Sequence, residues 1–277
     1  MTEELTTGAL FARARAEALD EDGDADVYWE LVSALHDRPP AEVWALVSPL
    51  ANSEDVRLQQ LVADVLRSLG REAQPLATQT LELFAKMLSS TPSAEVIACI
   101  GNACVDFHDP LVVTMLAPFA SHHDEAVREA VLHALRRSNH PQAIAALIRL
   151  SRDEADELRE WATFALGSQL PLVHGAEVRE ALAARLTDPH EPTRDEAVIG
   201  LGLRGDARAV GPLRTQLERG FVGLALFEAA HALATPRLLE VLTALTQNPK
   251  VQARLTDEER AGLLSAIAAC TVNLTVS

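Results

Sequence analysis

Lysine is almost missing from this chain of 277 residues: Lys86 and Lys250 are the only two among 24 basic side chains. That scarcity reads as codon composition and points to a GC-rich bacterium. Aromatic residues make up 4%, too few for an all-β fold, whose strands draw on aromatic and β-branched side chains. No run of 18 apolar residues occurs, so no membrane span is expected. The acidic opening, Met1-Thr2-Glu3-Glu4-Leu5, lacks the basic and then apolar stretch of a secretory signal. Cysteine is scarce too. Cys99, Cys104 and Cys270 make no disulfide framework, and the first two have neither C-x-x-C spacing nor a shared helix face. Buried free thiols in a reducing, cytoplasmic compartment are expected, where the Asn273-Leu274-Thr275 sequon has no meaning.

What is abundant is alanine and leucine. Both favour helix, and a hydrophobic content of 48% is enough for a large core, which excludes wholesale disorder. Forty acidic side chains against 24 basic ones give a net charge of −16. Residues 1–99 hold 17 acids and 7 bases, a net −10. Such a field repels phosphate polyanions and anionic lipid surfaces, so neither nucleic acid nor membrane is an expected partner. Basic proteins are what it would steer inward.

The chain repeats itself. Val127-Arg128-Glu129-Ala130-Val131-Leu132-His133-Ala134-Leu135 aligns without gaps on Leu158-Arg159-Glu160-Trp161-Ala162-Thr163-Phe164-Ala165-Leu166 and on Thr193-Arg194-Asp195-Glu196-Ala197-Val198-Ile199-Gly200-Leu201. Val56-Arg57 opens a fourth copy, and weaker copies are placed near Ser93 and Leu226. Each clear copy is followed by a polar turn and a second apolar segment, such as Pro141-Gln142-Ala143-Ile144-Ala145-Ala146-Leu147. Anchors at 57, 93, 128, 159, 194 and 226 set a period of 31 to 36 residues. Two helices per unit at that period predict an all-α fold, an α-solenoid of about seven helical hairpins, because one hairpin cannot bury its apolar face alone.

The expected hairpins are 25–51, 54–89, 92–120, 124–151, 155–187, 190–218 and 220–246, closed by a capping helix over 256–271. Residues 1–24 read as an N-terminal helix (7–19) and an acidic linker, and 25–277 as a single domain. Asp55, Asp124, Asp156 and Asp188 precede the repeated arginines and are expected to cap the following helices, while the arginines brace neighbouring turns.

These units resemble HEAT repeats of the bacterial type related to phycobilin-lyase repeats, over about residues 50–250. That resemblance implies a right-handed superhelix. Arg159-Glu160-Trp161-Ala162-Thr163-Phe164-Ala165-Leu166-Gly167, Val178-Arg179-Glu180-Ala181-Leu182, Arg194-Asp195-Glu196-Ala197 and Arg204-Gly205-Asp206 are similar to one bacterial subfamily. That subfamily includes an immunity protein paired with an Rhs toxin, so the likeness implies a toxin-neutralising role. Bilin-lyase-like chemistry on the same fold is the alternative, and a HEAT-like DNA glycosylase a more distant one.

Motifs for catalysis or cofactors do not hold up. Gly200-Leu201-Gly202-Leu203-Arg204-Gly205 spells G-x-G-x-x-G but lies at the end of a repeat helix, not after a strand. Close helix packing and a C-cap explain those glycines better. Residues 20–26 are rich in Asp, yet an EF-hand begun at Asp20 would need Gly where Ala25 stands and Glu where Leu31 stands. HEAT-like iron hydroxylases use several His-Glu pairs, whereas only His190-Glu191 occurs here. His108 and His140 sit in turns within hairpins and His122 and His123 in turns between them, roughly 18 Å apart along helices of this length, too far for one metal. Trp161 and Phe164 beside Glu160 are the only glycosylase-like grouping, and Trp161 is expected to pack between repeats.

The reading is therefore a non-catalytic protein-binding scaffold with no cofactor and no metal, monomeric when unbound. Its expected partner is another protein such as a basic toxin or effector domain, held on a concave surface lined by the second helices. Gln142, Arg149, Glu177, Glu180, Arg214 and Glu218 are the expected partner-binding residues. Far-UV circular dichroism should show a mainly helical protein; a substantial strand signal would contradict the repeat reading.

Overall fold

Helix propensity, capping and the repeat period together set the elements. The computed structural model describes residues 5–70, 76–90 and 92–272, and all regular structure among them is helical. Helix α1 spans Thr7–Leu19 and is opened by the Thr6 hydroxyl, which accepts from the Ala9 N–H. Hairpins follow: α2 (Ala25–His36) with α3 (Pro40–Val47), α4 (Val56–Leu66) with α5 (Ala77–Ser89), α6 (Ala94–Ala103) with α7 (Pro110–Leu116), and α8 (Glu125–Leu135) with α9 (Pro141–Leu150). Next come α10 (Asp156–Phe164) with α11 (Ala176–Arg185), α12 (Glu191–Leu203) with α13 (Val210–Glu218), and α14 (Leu224–Leu233) with α15 (Leu239–Gln247). The short α16 (Pro249–Gln252) and the long α17 (Asp257–Val272) close the array. Seven hairpins are present among the described residues, six inside their expected limits and the last running one residue beyond, to Gln247. The Met1–Glu4 opening and the Asn273–Thr275 sequon lie outside the described residues.

Polar side chains stop and start these helices. Glu17, Asp20 and Asp24 accept from the backbone N–H groups of Asp24, Asp22 and Asp26, so the acidic stretch serves the end of α1 and the start of α2. Asp55 accepts from the Arg57 N–H at 2.9 Å and Asp124 from the Val127 N–H at 3.2 Å. Asp156 departs from its expected role: it lies within α10 and binds the Arg159 guanidinium, and the capping position is Ala155. Thr256 and Glu259 exchange side-chain bonds with each other's N–H (3.2 and 2.8 Å), a capping box that starts α17.

The repeated arginines have one shared geometry. Arg128 donates to the carbonyls of His122 and His123, Arg159 to those of Asp153 and Glu154, and Arg194 to those of Asp188 and Pro189, at 2.6–3.2 Å. In each case these are the carbonyls six and five residues upstream, in the turn between hairpins. A sharp turn leaves such carbonyls without backbone donors, and the guanidinium fork supplies two. Arg57 differs by reaching the Leu19 carbonyl at 3.0 Å, at the end of α1.

By its contacts the chain divides into two compact units, residues 1–135 and 136–277. In the first, Leu10, Leu31, Leu61, Phe84, Ile100, Leu116 and Leu132 are fully buried, and Phe84 meets Phe107 edge-on at 6.4 Å. In the second, Leu213, Phe227, Leu238, Leu242 and Cys270 are part of the core. In both units the first helices of successive hairpins approach more closely than the second helices do. Small residues make this possible. A Cβ on Gly101 would stand 2.8 Å from the Ala130 Cβ, one on Gly200 2.5 Å from the Gly167 Cα, and one on Gly202 2.6 Å from the Ala229 Cβ. The second helices, assigned from the sequence as the partner-facing row, pack more loosely against one another than the first helices do.

The G-x-G-x-x-G segment is structural throughout. Gly200 and Gly202 are the close contacts just named, and Gly205, at φ +63°, terminates α12. Gly205 N–H donates to Gly202 O (2.8 Å) and Asp206 N–H to Leu201 O (3.0 Å), the paired bonds of a Schellman cap. Between them Arg204 points back into the stack. Beyond α10 the chain continues as a π-helical turn over Ala165–Gln169. The buried Arg204 guanidinium donates to the carbonyls of Leu166, Gly167, Leu170, Val173 and Gly200. Burial, helped by the like charge of Arg179, lowers its pKa to about 10, so it remains charged at neutral pH.

Two variants test this packing. Gly200→Ala should cost about 1–3 kcal/mol through overpacking, read as a fall in the denaturation midpoint. Arg204→Lys, with three donors in place of five, should leave at least one carbonyl of the π turn unsatisfied and cost about 1–3 kcal/mol. Stability equal to the parent in either variant would contradict the account.

Candidate protein-contact surface

A helix in the middle of a row buries two flanks against its neighbours and leaves one stripe open. On α10 that stripe carries Glu160, Trp161 and Phe164, three and four residues apart. Trp161 is 42% exposed, which departs from the expected packing position between repeats. Its indole meets Phe164 edge-on at 5.6 Å, and the Arg136 guanidinium lies 5.8 Å from the ring centroid, within cation–π range.

Carboxylates border these rings. Ser168, on the π turn, donates to Glu196 of α12 at 3.2 Å, and His190 lies 3.8 Å from Glu160. Burial pushes the Glu196 carboxyl above its ordinary range, and the negative charges of Glu160 and Asp195 push it further, against the pull of the Ser168 hydroxyl. Asp195 is also raised by burial, although Gln216 donates to it. This surface therefore combines a half-open aromatic pair with carboxylates held close together.

The buried lock beneath it has the opposite balance. Asp188, 4% exposed, accepts from Arg159, from Arg185 at 2.9 Å and from the His190 N–H at 3.1 Å. Burial alone would raise its pKa, but these donors hold it below the usual carboxylate range. It ties the end of α11 to the start of α10 and the loop leading into α12.

The six residues expected to bind a partner all fall on the second-helix row. Gln142 and Arg149 lie exposed at the two ends of α9, and Glu177 is exposed in the first turn of α11. Glu180 accepts from Arg208 at 2.8 Å. Arg214 binds Glu218 at 2.7 Å and Glu240 at 3.3 Å, and these three border a groove of about 300 Å³ floored by Leu217, Val241 and Leu245. Only Arg214 and Glu218 are brought together.

In the first unit, Asp64 of α4 is partly buried. It accepts from the Tyr28 hydroxyl at 2.7 Å and the Cys99 thiol at 3.1 Å, and its backbone carbonyl meets His36 Nε2 at 3.0 Å. Burial raises the carboxyl, and both donors oppose the rise. Burial, followed by the nearby Asp64 charge, also pushes the Cys99 thiol well up, which makes it a poor nucleophile at neutral pH. This is an internal polar bridge between α2, α4 and α6. Among the described residues no group of three or more His, Cys, Asp or Glu side chains is placed to hold a metal ion, and no helix is long and apolar enough to cross a membrane.

Sequence reasoning passed over Arg136, Glu196 and the openness of Trp161. The signal was in the alignment. At the second position after the arginine the three copies carry Ala130, Trp161 and Glu196, so a small packing residue gives way to side chains that cannot pack there.

Comparison with known proteins agrees with this architecture. Residues 81–167 match the family of HEAT repeats. Over 119 residues the chain is 33% identical to Protein YibA of Escherichia coli K12, and the same holds for Protein YibA of Escherichia coli O157:H7. The matched stretch is 43% of this chain and spans only 42% of those relatives. The X-ray structure of Escherichia coli YibA superposes with a TM-score of 0.72 at 22% identity, covering 97% of this chain and 93% of that one. An engineered protein superposes at 0.61 with 18% identity, covering 94% and 78%. At these identities the likeness is one of fold.

The raised Glu196 carboxyl gives a pH-dependent prediction. A carboxyl whose folded pKa lies above its unfolded value near 4.5 binds more protons when folded, so it costs stability as pH rises through the interval between the two. Glu196→Gln should therefore raise the melting temperature at pH 7, and the gain should vanish below pH 4. An equal gain at both values would contradict the assignment.

Proposed function

We propose that this protein is a non-catalytic binding scaffold, and that it acts as an immunity protein by holding a basic toxin or effector domain against its first-helix row. The observation that carries the proposal is the Trp161–Phe164 pair, open to solvent and bordered by Glu160 and Glu196. Buried aromatic anchors supply much of the affinity at protein interfaces, and Trp and Arg are enriched among them. Surrounding carboxylates would steer a basic partner and set its register. An acidic scaffold covering a toxin's active site would also repel an anionic substrate.

What supports the reading is the repeat architecture, the net charge of −16 and the resemblance of the central repeats to the subfamily that includes an immunity protein. The second-helix residues Gln142, Arg149, Glu177, Glu180, Arg214 and Glu218 make up the competing surface, and one experiment separates the two. The tagged protein is used to capture partners from its native cell at moderate and high salt, with mass spectrometry as the readout. A stoichiometric partner is then co-expressed with the parent, with Trp161→Ala and with Arg214→Ala/Glu218→Ala. The expected result is growth arrest by the partner alone, rescue by the parent and by the second-helix variant, and at least tenfold weaker binding by Trp161→Ala, since an anchor is worth about 2 kcal/mol or more. Absence of a partner, or a partner indifferent to Trp161, would overturn the proposal.

A further inference from the structure

The scaffold reading leaves open which chemical group of a partner sits against α10, and the inference below rests on that reading. We propose that the open stripe formed by Trp161, Glu160 and Glu196 is a docking site for an arginine side chain on a basic segment of the partner protein, with its guanidinium stacked on the indole and paired with the two carboxylates.

Three observations meet here. First, the indole already accepts a guanidinium: Arg136 lies 5.8 Å from its centroid, yet Trp161 keeps 42% of its surface open. Second, the carboxylates lack a strong cationic partner among the described residues. Glu196 accepts from the Ser168 hydroxyl, and Glu160 has His190 at 3.8 Å. On the second-helix side Arg214 is, by contrast, already engaged with Glu218 and Glu240, and Arg208 with Glu180. An incoming cation would have to break those pairs, whereas at Glu160 and Glu196 it completes one. Third, the planar guanidinium fork can stack on an aromatic face and bind carboxylate oxygens at the same time, which a lysine ammonium does less well. The complementarity therefore specifies an arginine of a basic protein segment.

The test uses the intact protein and a defined probe, the capped tripeptide Gly-Arg-Gly, with its citrulline counterpart as a neutral isostere. Of the three tryptophans, Trp29, Trp44 and Trp161, the Trp161 indole N–H resonance is assigned by its loss in Trp161→Phe. Titration with the arginine peptide should shift that resonance saturably and leave Trp29 and Trp44 in place. The citrulline peptide, and the Glu160→Gln/Glu196→Gln variant, should each bind at least fivefold more weakly. Glu218→Gln/Glu240→Gln removes the same two charges from the other row and should bind like the parent. A far-UV circular dichroism spectrum and a thermal melting transition like the parent's show that each variant is folded.

Equal shifts with citrulline would overturn the inference, as would an equal loss in Glu218→Gln/Glu240→Gln or concerted movement of all three indoles. Because the peptide is independent of the captured partner, the two proposals fail separately. A peptide that does not bind, beside a partner that still depends on Trp161, removes the arginine assignment alone. A peptide that binds, beside a partner indifferent to Trp161, removes the proposed role of this face.

Discussion

Five carbonyl oxygens converge on the guanidinium of Arg204, and the second unit is arranged around that convergence. The end of a helix presents carbonyls with no donors and the negative end of its dipole. At the end of α10 the chain adds a π turn, which turns Leu166, Gly167 and Leu170 toward the next repeat. A buried cation is costly unless it is fully bonded, and here its donors are taken up by peptide oxygens with no carboxylate needed. The guanidinium can get so close because Gly167 and Gly200 let two helices meet backbone to backbone. The same turn carries Ser168 into contact with Glu196, so the surface chemistry of the open stripe is linked to a packing event beneath it.

The two helix rows differ in how their charges are settled. On the second-helix side, Arg214 is engaged with Glu218 and Glu240 and Arg208 with Glu180, in arrangements that contribute little to stability at the surface. On the first helices the arginines turn away from solvent into the turns, so the acids near them face outward with less compensation. Burial raises the Glu196 carboxyl first and the charges of Glu160 and Asp195 add to it; the repeat motif supplies no guanidinium to offset them, because the Arg that opens the helix serves the turn's carbonyls.

How far the sequence was legible follows the same division. Periodicity and the Ala-Leu or Gly-Leu endings were enough to place seven hairpins, because those positions answer to local packing alone. The glycines of Gly200–Gly205 were readable as packing and a cap for the same reason. Which of the two helix rows packs more closely was not readable by analogy with other repeats. It depends on how close neighbouring backbones come, and Gly101 against Ala130 or Gly202 against Ala229 shows this only once the partners are known. Trp161 was misjudged because a tryptophan in a helical apolar pattern usually fills a core, and only the crowded position of its counterpart Ala130 shows that an indole there must turn outward. The π turn after Phe164 left no trace, since Ala165-Leu166-Gly167 reads as ordinary repeat sequence.

The bonds from Arg128, Arg159 and Arg194 to carbonyls five and six residues upstream also bear on how such a chain can change over evolutionary time. Each of these clamps is encoded within a few adjacent codons. A duplication or loss of one hairpin therefore carries its own turn chemistry with it and leaves no orphaned partner elsewhere. Arg204 and Asp188 are different, because they join neighbours whose residues lie about thirty positions apart. Recombination that separated the hairpins of α10 and α12 would strand both. Array length is thus free to drift at junctions held by such local clamps alone, while the repeats joined by Arg204 and Asp188, like those joined by the Asp64 bridge, are inherited as a block, and the open stripe on α10 and α12 is inherited too.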